Sequence, residues 1–81
     1  MQVLWFAWLR ERVGHPREAV QTQAATVRQL VAELAAMDPW HAAALSDLSA
    51  VRVALDQELA DLDAPLGNAR EVAFFPPMTG G

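Results

Sequence analysis

The sequence predicts an α+β fold in which one main amphipathic helix crosses a mixed β-sheet. Two segments with strand character precede a single helix-periodic segment and three follow it, so strands and helices do not alternate along the chain. The length of 81 residues suits one compact domain. A hydrophobic content of 53% is ample for the one core that a chain of this size can build.

The first two strands are predicted to form a hairpin. Residues 2–9 are almost all apolar, and such a run of β-branched and aromatic side chains is typical of a central strand that is covered on both faces. A turn or a short helical linker is expected over residues 10–14. The second strand is expected over residues 17–22, paired with the first.

The clearest element is a helix that begins at Thr26. Thr26 and Gln29 match the capping box, in which the hydroxyl accepts a hydrogen bond from the third backbone N–H while the glutamine side chain reaches back. Pro39 is expected to end this helix, because proline lacks the N–H that a helix interior needs. One helix face carries apolar residues at helical spacing: Val27, Leu30, Val31 and Leu34.

Three more strands are predicted after the helix, over residues 51–55, 58–60 and 71–75. A short helical turn is expected between residues 40 and 49. Pro65 and Gly67 favour a turn before the last strand. The resulting order, β, β, α, β, β, β, is that of the β-grasp fold.

The chain is expected to divide into a β-grasp domain, residues 1–75, and a flexible C-terminal Pro-Pro-Met-Thr-Gly-Gly tail, residues 76–81. Proline fixes φ and lacks a backbone donor, so the two prolines favour an extended start to the tail. The terminal glycines have no Cβ and can therefore pass through a narrow channel in another protein. Six extended residues reach at most about 20 Å.

Composition excludes several classes of function. Cysteine is absent, which excludes disulfides, thiolate metal sites and a sulfur-bearing cysteine in this chain. Six arginines and no lysine oppose ten acidic residues, and the net charge of −4 argues against nucleic acid as a partner. No apolar run approaches the roughly 20 residues of a membrane span, and no secretory signal is recognisable. A cytoplasmic protein without membrane contact is expected.

Side chains outside the tail offer only weak candidate sites. His15 and His41 lie far apart in the sequence without a metal-binding spacing, which favours solvated or locally bonded histidines and predicts no metal site. The acidic residues between positions 56 and 63 lack the spacing of a calcium loop and indicate a solvated rim. The serines, histidine and aspartate between positions 41 and 49 lack the nucleophile elbow of a hydrolase.

Three parts of the sequence carry a resemblance to a known family: VLWFAWLRERVG at residues 3–14, VALDQ at 53–57, and PL with EVAFFPPMTGG between 65 and 81. They resemble the MoaD-type members of the MoaD/ThiS sulfur-carrier family, whose fold is ubiquitin-like. The Pro-Pro-x-Thr-Gly-Gly ending is the most specific part. The sequence departs from the family pattern at two places: Asp56 stands where Asn is common, and Ala69-Arg70 stands where Gly-Asp is usual. Arg70 weakens the acidic surface that is expected to meet an activating enzyme.

The resemblance implies a sulfur-donating small subunit of molybdopterin synthase that binds no cofactor and works through the carboxylate of Gly81. A ubiquitin-activating-like enzyme would use ATP to adenylate this carboxylate, and a sulfur donor protein would replace AMP to leave a thiocarboxylate. The tail would then enter the synthase large subunit, in a heterotetramer, and give its sulfur to cyclic pyranopterin monophosphate, which forms molybdopterin for the molybdenum cofactor. The residues expected to thread into the partner are Pro76, Pro77, Met78, Thr79 and Gly80.

Aromatic residues near the sheet are predicted to form the partner interface. One helix cannot cover both faces of the sheet in a domain of this size, so an aromatic face is expected to remain open. Phe74 and Phe75 point to opposite faces of one strand, so one should lie in the core and the other at the interface. The candidate interface residues are Trp5, Trp8, Phe74 and Phe75.

Two other functions stay open at this point. One is a sulfur carrier for thiamine thiazole synthesis or tRNA thiolation. The other is a ubiquitin-like binding module without sulfur cargo.

Overall fold

The computed structural model describes residues 1–77. A turn of 3₁₀ helix, Leu48–Ala50, precedes the third strand. The strands are β1 (Gln2–Trp5), β2 (Arg17–Ala19), β3 (Arg52–Leu55), β4 (Glu58–Ala60) and β5 (Glu71–Phe75). The helices are α1 (Trp8–Val13), α2 (Val27–Ala35) and α3 (Pro39–Ala44).

The five strands form one mixed sheet in the order β2-β1-β5-β3-β4. β5 lies at the centre, parallel to β1 and antiparallel to β3, while β2 and β4 pair antiparallel at the two edges. The predicted fold class, a ubiquitin-like β-grasp with a mixed sheet crossed by one main helix, is confirmed. The central strand is therefore also the one that leads into the C-terminal tail.

Helix α2 follows its sequence signals closely at its start. The Thr26 hydroxyl accepts a hydrogen bond from the Gln29 N–H at 3.2 Å, and the Gln29 side chain accepts one from the Ala25 N–H at 2.7 Å. In a capping box the glutamine side chain would accept a hydrogen bond from the N–H of Thr26 itself, one residue later than Ala25. The predicted apolar stripe is buried in full: Val27, Leu30, Val31 and Leu34.

The end of α2 differs from the prediction. The helix ends at Ala35, and Pro39 begins α3 instead of terminating α2. Asp38 caps this new helix by accepting a hydrogen bond from the His41 N–H at 2.8 Å. Proline is favoured at the first helical position because the N–H it lacks has no intrahelical partner there. The short helical turn predicted after residue 40 is therefore a separate capped helix.

The first strand lies inside the sheet, between β2 and β5, but it is shorter than predicted. β1 ends at Trp5, because Ala7 adopts a φ of 56° and the chain enters α1 at Trp8. Val3 and Trp5 are buried on the inner face, whereas Leu4 on the outer face is only half-buried. Cover on both faces was therefore a wrong expectation for this strand.

The core lies between the inner face of the sheet and the three helices. At its centre the Trp5 and Phe74 rings stack with centroids 4.9 Å apart. Leu9 from α1, Leu34 from α2 and Ala44 from α3 pack into the same cluster. Burial of each large apolar side chain contributes about 1.5–3 kcal/mol, so this one cluster carries most of the stability. Within residues 1–77, no helix has the length and apolar character to cross a membrane.

Candidate functional site

The tail leaves the domain from the central strand. Pro76 and Pro77 follow β5 directly and are half-buried. Beside this exit, the Phe6 N–H donates a hydrogen bond to the Phe74 carbonyl at 3.1 Å, and Arg52 pairs with Phe75 in the sheet register. The predictions for Met78, Thr79, Gly80 and Gly81 concern residues outside the described part of the chain and stay predictions.

The sheet has an outer face that no helix covers within residues 1–77, because α1, α2 and α3 all contribute to the core on the other side. A row of apolar side chains crosses it in register, with Leu4 opposite Ala73, Ala73 opposite Ala54, and Ala54 opposite Leu59. Phe75 extends this face toward the tail. The outer face is defined here as Leu4, Ala54, Leu59, Ala73 and Phe75.

The most exposed member of the outer face is Leu59, at 79%. Such an exposed leucine on an edge strand lowers solubility and has no role in the core. The two alanines between Leu4 and Leu59 are buried, with Ala54 9% and Ala73 8% exposed. The accessible apolar surface of this face therefore comes from Leu59 and from the half-buried Leu4 and Phe75.

The structure corrects part of the interface prediction. Trp5 and Phe74 are 1% and 0% exposed, so these two residues belong to the core and cannot contact a partner. The reason is register: Trp5 lies opposite Phe74, and both side chains point under the helices. Trp8 lies on α1, half-buried, with the Arg12 guanidinium 5.5 Å from its ring centre. It is therefore not part of the outer face.

Phe75 alone among the four candidates lies on the outer face, and its contact with a partner stays a prediction. Sequence reasoning missed Leu59 and the nearby Phe6, which is also exposed. The sequence did contain a signal for Leu59. It is the one large apolar residue of a short strand, between Glu58 and Ala60 and next to an acidic turn, which favours an exposed position.

A second cluster of polar groups lies on the helix side of the sheet. His41 on α3 is 2% exposed and holds two carboxylates: its Nδ1 is 2.9 Å from Asp38 Oδ1, and its Nε2 is 2.7 Å from Glu18 Oε2. The Trp5 Nε1–H donates to the same Glu18 oxygen at 2.8 Å. His15 Nε2 lies 3.1 Å from that oxygen. The two histidines, distant in sequence, are thus neighbours.

This network shifts the protonation of its members. Burial alone lowers the pKa of His41, but its hydrogen bonds with Glu18 and Asp38 outweigh burial and raise that pKa above 6.5. Burial alone raises the pKa of Glu18, but hydrogen bonds from His41 and Trp5, together with the nearby imidazole of His15, lower it below 4.5. The folded state therefore favours a charged His41 beside a charged Glu18.

These shifts predict how stability depends on pH. The contribution of His41 is fully present below pH 6.5 and is lost as the pH rises through its raised folded-state pKa. The contribution of Glu18 is present above pH 4.5 and is lost as the pH falls through its lowered folded-state pKa. We expect the free energy of unfolding, measured by urea titration in a chelating buffer, to be greatest between these two values.

The control for this pH profile is the His41→Gln variant, which keeps a polar side chain but cannot be protonated. Its stability should lack the decrease that the wild-type protein shows above pH 6.5. A wild-type stability that rises steadily from mildly acidic to alkaline pH would contradict the assignment.

The chain matches the ThiS family over residues 3–81. It is 42% identical over 81 residues to the molybdopterin synthase sulfur carrier subunit of Escherichia coli, covering 100% of this chain and 99% of the relative. It is 36% identical to the protein of the same name from Haemophilus influenzae, again over 81 residues, with 100% and 99% covered.

Two solved structures are similar in fold. SAMP1 from Haloferax volcanii has a TM-score of 0.76 and 27% identity, with 100% of this chain and 98% of that chain covered. A putative molybdopterin converting factor, subunit 1, from Pyrococcus furiosus has a TM-score of 0.71 at 24% identity, with 95% of each chain covered, and supports the fold alone. With its β-grasp sheet, its tail-bearing central strand and a match that spans almost its full length, the chain belongs to the ThiS family.

Proposed function

We propose that this chain is a sulfur carrier that acts as the small subunit of a molybdopterin synthase, with the Gly81 carboxylate as the sulfur-bearing group. Its whole-chain relatives bear the name of that subunit. The structural observation that carries the proposal is the position of the tail. It continues the central strand β5 and leaves the domain beside an open apolar face. A partner that packs on this face therefore receives the tail.

Loading of the tail requires a separate activating enzyme. A carboxylate is ionised at neutral pH and is a poor electrophile, so sulfur cannot replace its oxygen directly. A ubiquitin-activating-like enzyme joins the Gly81 carboxylate to the AMP part of ATP and releases pyrophosphate. A persulfide on a donor protein then attacks the acyl-adenylate and displaces AMP, which forms an acyl disulfide. A second thiol attacks the donor's sulfur, which leaves a disulfide on the donor side and frees the thiocarboxylate on Gly81. The carrier contributes no thiol, because it has no cysteine.

Delivery requires the large subunit of the synthase. The loaded tail enters its active site, and two carriers in succession supply the sulfurs that convert cyclic pyranopterin monophosphate into molybdopterin. In this proposal two carriers and two large subunits form a heterotetramer. Residues 76–81 reach at most about 20 Å when extended, a distance that lets Gly81 reach a buried site while the domain stays outside.

The outer face is the docking surface for both partners. The activating enzyme and the large subunit must each receive the same tail from the same end of the sheet, so each packs on the face beside it. Leu59 and Phe75 are the apolar anchors, and the small side chains of Ala54 and Ala73 lie between their positions in the sheet register. Because one face serves two partners, binding to one excludes the other, and the carrier must dissociate between loading and delivery.

The test of the function is direct loading of the purified chain. It is incubated with an activating enzyme of a molybdopterin pathway, ATP and a sulfur source, and its intact mass is then measured. We expect one oxygen-to-sulfur exchange, located by fragmentation at Gly81, and none when ATP is left out. An unchanged mass under conditions that load a known carrier would refute the carrier function.

The pathway is identified by the acceptor. The loaded chain should yield molybdopterin when mixed with a synthase large subunit and cyclic pyranopterin monophosphate. It should yield no thiazole with a thiazole synthase. Sulfur transfer to the thiazole synthase or to tRNA alone would keep the carrier function but assign it to another pathway.

A further inference from the structure

Three side chains that could bind a metal converge on the helix side of the sheet. They are His15 in the turn before β2, Glu18 on β2 and His41 on α3, and we refer to them as the His-Glu-His cluster. One nitrogen of each histidine and one carboxylate oxygen all lie within 4.8 Å of one another. Positions 15, 18 and 41 show no metal-binding spacing, which is why the sequence predicted none here.

Two residues outside the cluster hold its donor atoms in place. Asp38 lies 2.9 Å from Nδ1 of His41, which directs Nε2 of the ring toward Glu18. Histidines that bind metals are commonly oriented in this way, by a carboxylate on the second ring nitrogen. The Trp5 indole holds Glu18 Oε2 through a hydrogen bond of 2.8 Å. Two of the three donors are thus fixed by the fold.

The third donor has no satisfactory partner within the described structure. His15 Nε2 is inaccessible to solvent, and although it lies 3.1 Å from Glu18 Oε2, it forms no hydrogen bond of acceptable geometry. A buried polar atom without a partner costs free energy that a bound ion recovers. The rest of the His15 side chain is 43% exposed, so the cluster lies next to the protein surface on this side.

We infer that the His-Glu-His cluster binds a divalent transition metal ion, with Zn²⁺ as the best fit, through His15 Nε2, His41 Nε2 and the Glu18 carboxylate. Two imidazoles and one carboxylate suit zinc and its neighbours better than calcium or magnesium, which prefer oxygen ligands. Solvent supplies the fourth ligand on the surface side. This inference does not depend on the proposed sulfur-carrier function.

The geometry needs only a small adjustment to accept the ion. Ligands at about 2.0–2.1 Å from a tetrahedral zinc ion lie roughly 3.3 Å apart. The Glu18 oxygen now lies 2.7 Å from His41 Nε2 and 3.1 Å from His15 Nε2, so these distances must lengthen by about 0.6 Å and 0.2 Å to reach that separation. The proton shared between His41 and Glu18 leaves to solvent as the ion enters, and binding is therefore weaker at acidic pH.

The test is a titration of the untagged, chelator-stripped full chain with Zn²⁺ alone, followed by calorimetry. We expect saturable binding of one ion per chain, with a dissociation constant in the micromolar range or below, and an increase in melting temperature. Titration with Co²⁺ should give the visible absorption of a four-coordinate site, and Zn²⁺ should bleach it. Absence of one-to-one binding in the wild-type protein would overturn the inference.

The decisive variant is His15→Gln, because this residue is partly exposed and forms no hydrogen bond that the fold needs. It should bind Zn²⁺ at least tenfold more weakly while its metal-free melting temperature stays unchanged. The matched control is Glu58→Gln, an exposed carboxylate on β4, which should bind as the wild type does. Equal affinity of His15→Gln and wild type would overturn the site. NMR signals of both imidazole rings should shift on Zn²⁺ addition, and shifts elsewhere alone would also overturn it.

Discussion

A variant that lacks Gly81 should lose at least 100-fold of its sulfur-transfer activity and should fold as the wild type does. The deletion moves the terminal carboxylate back by about 3.3–3.6 Å. Since misplacement of a reacting group by about 1 Å can cost 100-fold in rate, the shortened tail should neither be adenylated nor reach the acceptor. The buried core lies within residues 1–77, so the free energy of unfolding should change by less than about 0.5 kcal/mol.

Loading and folding are measured separately for this deletion, by intact mass after incubation with ATP and the activating enzyme and by thermal melting. A matched variant carries one extra glycine after Gly81. It should also lose sulfur-transfer activity, because its terminal carboxylate is displaced in the other direction. A shortened chain that loads with sulfur at the wild-type rate would show that the reacting carboxylate is not that of Gly81.

The Leu59→Arg variant should bind the synthase large subunit about 30- to 1,000-fold more weakly than the wild type. Truncation or charging of an apolar anchor costs about 2–4 kcal/mol in many interfaces, and an arginine here also places a charge on the outer face. Leu59 is 79% exposed, so the substitution should leave the fold intact. The measurement is isothermal calorimetry with the isolated large subunit, with thermal melting as a check of folding.

The Met37→Arg variant is the control for the outer face. Met37 is also an apolar, exposed residue, at 51%, but it lies between α2 and α3 on the helix side. The substitution adds the same charge, so a general electrostatic effect would appear in both variants. We expect wild-type affinity for Met37→Arg. Loss of binding in this variant but not in Leu59→Arg would place the interface on the helices instead.

Local signals in the sequence were sufficient for much of the fold. The capping residues Thr26 and Gln29 and the apolar stripe after them predicted α2, because both act within one or two turns of the chain. The ranges of β4 and β5 also match their predictions, since turn residues and charged residues bound them closely. The β-grasp order followed from these elements and from the family resemblance.

The errors came from properties that depend on distant parts of the chain. The apolar run WFAWL suits a buried strand and a buried helix equally well, so the change to α1 at Trp8 could not be read from it. The positive φ of Ala7 that makes this change has no signal such as glycine.

The candidate sites show the same limit. The tail could be proposed as a site from its own residues, because the proposed chemistry requires only a terminal carboxylate and a slender backbone. The outer face could not be assigned, since whether Phe74 or Phe75 is buried depends on the side from which the helices approach the sheet. The His-Glu-His cluster joins three separate parts of the chain, and only the placement of α3, which packs against α1 and α2, brings His41 to Glu18.

The central position of β5 has a consequence for biosynthesis of the protein. This strand is translated after the other four, yet it forms the ladders that join β1 to β3. An emerging polypeptide therefore has two separated hairpins and no continuous sheet until the ribosome has added nearly everything else. Such long-range closure slows folding and leaves incomplete chains open to proteases. A prematurely terminated product that lacks β5 therefore cannot complete the sheet.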